Sequence, residues 1–111
     1  MQNSVVIVGS ASLGGNNQEL GGLLLANFLR ILGERDDLPE YVVLWNEGVK
    51  IAIEGSTWIA HLKKLEERGV KIISCRTCVE YFGLEGQIAA GEIGAMPRIQ
   101  EILLSNSVLT V

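Results

Sequence analysis

Two cysteines, two prolines, one histidine and an aromatic share of 5% leave this 111-residue chain few residues on which chemistry can be built. Two cysteines cannot make the framework of a disulfide-stapled secreted domain. His61 stands alone with no serine motif beside it, which argues against a hydrolase triad. No apolar run approaches the roughly 20 residues of a membrane-spanning helix, so no membrane role is expected. Met1-Gln2-Asn3-Ser4 brings no basic residue ahead of the apolar run Val5 to Val8, so no secretory leader is read and a cytoplasmic address is expected. Positive charge is also scarce: 9 Lys and Arg against 13 Asp and Glu give a net charge of -4, the wrong sign for gripping a phosphate backbone. Charged residues total only 20%, against 48% hydrophobic ones, so part of the apolar surface is expected to be covered by another copy in a homo-oligomer.

What is present reads as a single α/β domain over 1–111, without repeats, linkers or low-complexity segments. Ser4 to Gly9 is a continuous β-branched run, the pattern of a strand buried on both faces. A small, polar loop, Ser10 to Asn17, precedes Leu20, Leu23, Leu24, Asn27, Phe28 and Ile31 at helical spacing. A helix over about 17–32 follows, with Asn16 as its N-cap and Gly33 supplying a left-handed stop. Tyr41 to Trp45 is a second strand, and Asn46 to Ile53 a short helical segment broken at Gly55. Ser56 then caps a helix with Trp58, Ile59, Leu62 and Leu65 inward, stopped by Gly69. Val70 to Ser74 is a third strand running straight into Cys75-Arg76-Thr77-Cys78. Thr77 with Glu80 forms a capping-box pattern, predicting a very short helix from Cys78 to Phe82 ended by Gly83. Gln87 to Gly91 is a weak fourth strand, Pro97 opens a helix carrying Ile99, Ile102 and Leu103, and Val108 to Val111 is a fifth strand. This alternation predicts a three-layer α/β/α unit, flavodoxin-like in architecture, around a mostly parallel sheet of about five strands.

The only two cysteines share one C-x-x-C motif. Thiolate is the reactive form of cysteine, and a place at a strand end before a helix, with Arg76 adjacent, favours it. Sulfur transfer and disulfide exchange both begin with such a thiolate attacking sulfur, and the motif alone does not separate them. A third possibility is a non-catalytic binding module with inert, space-filling cysteines. Two thiolates leave a tetrahedral zinc ion half ligated, so no metal is expected. Gly9 to Gly15 has neither the Lys-Ser/Thr of a P-loop nor G-x-G-x-x-G, so no cofactor is expected either. In a doubly wound sheet the loops after the first three strands open on one edge, which makes Ser10, Asn16, Asn17, Asn46 and Glu47 candidate neighbours of Cys75. Trp45 and Trp58 read as core or subunit-contact residues.

The chain resembles the DsrE/DsrF-like sulfur-relay family, most closely the DsrE-like domain of YedF-type "sulfurtransferase-like selenium metabolism" proteins. The resemblance rests on the opening strand with Gly14 and Glu19-Leu20-Gly21, on Asn46-Glu47-Gly48-Val49-Lys50 and on Glu54-Gly55-Ser56. It continues through Cys75-Arg76-Thr77-Cys78, Tyr81-Phe82-Gly83-Leu84, and Gly91-Glu92-Ile93 with Met96. The family pattern usually has glycine where this chain has Arg76, and Thr-Asn where it has Gly94-Ala95. The resemblance implies a DsrE-like fold, frequent oligomers, and a cysteine that accepts sulfur as a persulfide. Placed by its distance from Gly83, Cys75 corresponds to that acceptor, with Cys78 resolving or structural and Arg76, Thr77, Asn46, Ser10 and Asn16 in support. YedF-type proteins commonly carry a TusA-like sulfur-carrier domain. Since this sequence has none, a separate TusA-like protein is the expected partner of a relay.

Overall fold

Among residues 3–111, which the computed structural model describes, strands and helices alternate. They run β1 (Ser4–Val8), α1 (Gln18–Leu32), β2 (Tyr41–Leu44), a 3₁₀ segment (Asn46–Ala52), α2 (Ile59–Glu67) and β3 (Lys71–Cys75). Then come α3 (Arg76–Tyr81), β4 (Glu92–Gly94), α4 (Met96–Leu104) and β5 (Ser107–Thr110). Every strand pairing is parallel, in the order β4-β3-β2-β1-β5. Parallel neighbours need a crossover rather than a tight turn, which is why each of the first four strands is followed by helix.

The order dictates the layers. From β1 to β4 the chain steps in one direction, so right-handed crossovers lay their helices on one face; the return from β4 to β5 passes to the far edge and puts α4 on the other. Strand side chains alternate accordingly. Val6, Val8, Val42, Leu44 and Ile72 pack under Leu25, Leu29, Leu62, Leu65, Val79 and the 3₁₀ segment. Val5, Ile7, Val43, Ile73 and Cys75 face Ile99 and Ile102 of α4. Leu25, Leu29, Leu62 and Leu65 are fully buried, each contributing about 1.5–3 kcal/mol of transfer free energy. The expected three-layer α/β fold is thus what forms.

Several local expectations are corrected. The helix-spaced residues Leu20, Leu23, Leu24, Asn27 and Ile31 do form α1, but they point outward; Gly21, Leu25, Leu29 and Leu32 are the buried set. The N-cap is Asn17, not Asn16: its side chain accepts the Leu20 N–H at 2.9 Å. Gly33 is right-handed at φ -69 and ends the helix without a left-handed residue. Ser56 caps a turn that precedes α2, its hydroxyl accepting the Trp58 N–H at 3.3 Å while donating to the Ile51 carbonyl at 2.6 Å. α3 begins at Arg76, so Thr77 lies inside it and caps nothing. The fourth strand is Glu92–Gly94, not 87–91: Gly91 has a positive φ of 73 and its α-carbon lies against the Ile72 carbonyl, where any Cβ would collide. Of the earlier stretch only Ile88 bridges, antiparallel to Ile53.

Candidate functional site

Cys75 is both the last residue of β3 and the N-cap of α3. The register sets it opposite Gly94 of β4, and its side chain points toward α4, leaving it only 1% exposed. Cys78 is the third residue of α3, half-buried, and touches the apolar residues of both layers. Both cysteines are free thiols.

A second chain segment completes the pair. β2 ends one residue before Trp45, whose N–H donates to the Val8 carbonyl at 3.3 Å, and Gly48 N–H donates back to the Trp45 carbonyl at 2.9 Å. This tight turn lies so close to β1 that a Cβ at Gly48 would strike the Val8 carbonyl oxygen. Asn46, at its apex, takes a left-handed backbone at φ 51, a conformation asparagine tolerates better than most residues. Its N–H thereby donates to the Cys78 sulfur at 3.0 Å.

The Cys78 thiol is pushed up from its ordinary range, first by burial and then by its hydrogen bond with Cys75; the Asn46 N–H acts the other way without cancelling them. At neutral pH Cys78 is therefore a thiol, with an S–H available to its neighbour sulfur.

The two sulfurs open into a cavity of about 490 Å³. Trp45, Tyr81, Phe82 and Met96 make its apolar wall, and Asn46 and Thr77 its polar lip. Tyr81 stands edge-on to Phe82 at 5.2 Å and 89° and is 83% exposed, an aromatic placed at the mouth rather than in the core. Lys50 lies over the other ring, 4.4 Å from the Phe82 centroid, while paired with Glu47 at 3.1 Å. No charged side chain lines the cavity itself.

Of the residues picked from sequence, Cys75, Cys78, Thr77 and Asn46 come together here. Arg76 is exposed at the first position of α3 and does not line the cavity. Ser10 and Asn16 border another cavity, of about 380 Å³, with Gly14 and Val111. That second hollow follows from topology: the order in which strands are added reverses between β1 and its parallel neighbour β5, and the loop after β1 opens there. Trp45, read from its apolar neighbours as a core or contact residue, does pack against the buried cluster under α4 and is also part of the wall at Cys75. Tyr81 and Met96 were also missed as site residues. Met96 stands at a helix start and Tyr81 at a helix end, both among the residues that carry the family resemblance, but periodicity alone gives neither a place at the cavity.

A family model described as the DsrE/DsrF-like family matches residues 3–111. Among solved structures, the YchN protein from E. coli is 25% identical with a TM-score of 0.72, covering 100% of both chains. A protein of unknown function from Methanobacterium thermoautotrophicum, MTH1491, is 13% identical at a TM-score of 0.68, with 97% of each chain covered. A conserved protein of unknown function from Bacteroides thetaiotaomicron, BT1422, is 18% identical at 0.67, covering 98% of this chain and 95% of its own. No curated protein matches the sequence.

Proposed function

We propose that this chain, which belongs to the DsrE/DsrF-like family, is a sulfur-relay protein that holds sulfane sulfur as a persulfide on Cys75 and passes it to a partner's thiol. The observation that carries the reading is the pair of free thiols, Cys75 and Cys78, lining one open cavity. In loading, the Cys75 thiolate attacks the terminal sulfur of a donor persulfide; the S–S bond of the donor breaks and its thiolate leaves. Delivery is the same displacement in reverse order, with the partner's thiolate attacking the terminal sulfur and Cys75 leaving. No electron is gained or lost overall. Cys78, its thiol pushed up by burial and by Cys75, keeps its proton beside Cys75 and supplies an S–H donor to that sulfur as attacking and leaving group.

Within the family, the run Asn46 to Lys50 and the Tyr81-Phe82-Gly83-Leu84 segment support a place beside the YedF-type branch. A separate TusA-like carrier is the proposed partner and a homo-oligomer the proposed assembly. Intact-protein mass spectrometry after incubation with a persulfide donor tests the reading: the mass should rise by one sulfur and not rise in Cys75→Ser. Loading that persists in Cys75→Ser and disappears in Cys78→Ser would reverse the two roles.

The C-x-x-C spacing of two free thiols that line one cavity favours a second reading, a thiol-disulfide oxidoreductase. Turnover would then leave an intramolecular disulfide, seen as a loss of two hydrogens in place of a gained sulfur.

A further inference from the structure

We infer that the cavity at Cys75 and Cys78 is also a binding site for a soft monovalent cation, cuprous copper, held by both thiolates and the Met96 thioether. The inference goes beyond the sulfur relay and does not depend on it.

The chain has two cysteines and two methionines. Met1 lies outside the described residues, and the other three sulfur-bearing side chains, Cys75, Cys78 and Met96, all border this cavity. They reach it from three elements: the end of β3, the body of α3 and the first residue of α4. The pairing of Cys75 with Gly94 brings Met96, two residues further on, to the same sheet edge. Met96 belongs to neither buried cluster and is 46% exposed, so core packing does not explain a methionine there.

The donor set selects the ion. Thiolate and thioether are soft ligands and favour Cu(I) over harder cations. No carboxylate or imidazole lines the cavity, and among the described residues no group of three or more His, Cys, Asp and Glu could hold a metal. Zinc, which takes four ligands in a structural site, is not provided for. A closed-shell monovalent ion is satisfied by two or three sulfurs, which is what these side chains offer. Binding releases the two thiol protons to solvent and leaves copper as Cu(I); nothing is oxidised or reduced.

The test adds one equivalent of Cu(I), as its acetonitrile complex, to the metal-free full-length chain under argon. Bicinchoninate serves as the competing chelator, and X-ray absorption at the copper edge counts the ligands. One copper per chain should be retained, in a shell of three sulfurs. In Met96→Leu, a swap of similar volume on a half-exposed side chain, the shell should fall to two sulfurs and affinity drop by about tenfold or more, the scale on which lost metal-site support acts. Three sulfurs still present in Met96→Leu, a shell of two in the wild type, or transfer of all the copper to the chelator would each overturn the assignment. A wild type and Met96→Leu with equal affinity would mean adventitious dithiol binding only. Persulfide loading is measured on metal-free protein, so the two readings fail separately.

Discussion

Asn46 and Gly48 show how the site depends on backbone detail. The left-handed turn at Asn46 aims an N–H at Cys78, and it keeps that aim because Gly48 sits directly against the Val8 carbonyl. Gly48→Ala must push the turn off β1. Overpacking of this kind costs about 1–3 kcal/mol, to be read as a lowered urea midpoint. The same displacement removes the N–H that opposes the upward shift of Cys78, so alkylation of that thiol at fixed alkaline pH should slow. Cys78 also ties stability to pH. Its folded-state pKa is raised, so the native chain holds the proton after the unfolded chain has released it. The stability this group contributes is complete below the unfolded value and is lost as pH rises through the folded one. Urea unfolding from neutral to strongly alkaline pH should show a steeper fall for the wild type than for Cys78→Ala; parallel curves would mean that the thiol is not shifted.

At the scale of elements, buried strands were legible because continuous β-branched runs leave little choice, and β1, β2 and β3 lie within a residue of where the sequence puts them. Caps were harder, since adjacent residues compete for one position. Asn16 and Asn17 are chemically equal, and Gly21, which must nestle under Ser12 and Leu13, decides between them by fixing the rotation of α1. Asn17→Ala should cost about 1 kcal/mol, visible as a lower thermal midpoint, whereas Asn16→Ala should leave it unchanged. Thr77 was misread for a related reason: with Cys75 buried at the strand end, α3 starts immediately after it, and the Thr77–Glu80 pattern falls inside the helix. The rest of the site was illegible because it is made by register. Nothing local to Met96 or Trp45 says that β4 pairs with β3, or that the turn after β2 folds back over α3.

For the whole molecule, the unresolved tension in the sequence was too much apolar content for a chain with so few charges. The fold relieves part of it inside two layers and leaves the largest exposed group on the α1 side, with Leu104 and Val108 exposed on the other. Leu20, Leu23, Leu24 and Ile31 form an exposed strip along α1, and Leu109 of the edge strand β5 emerges from the same side of the sheet, since it pairs with Val6. An exposed strip of leucines gains about 25 cal/mol for each Å² covered, and a second copy offers the same strip in a self-complementary arrangement. The proposed self-association is therefore expected through α1. Light scattering should return a multiple of 12.0 kDa at micromolar concentration. Leu23→Glu with Leu24→Glu should bring it to 12.0 kDa without loss of helical circular dichroism, because neither side chain is part of the core. A wild type that scatters as a monomer at high concentration would end the proposal. If the double variant stayed assembled while Leu109→Lys dissociated it, the contact would run through the open edge of β5, where an unpaired row of backbone groups is the other surface able to recruit a copy of itself.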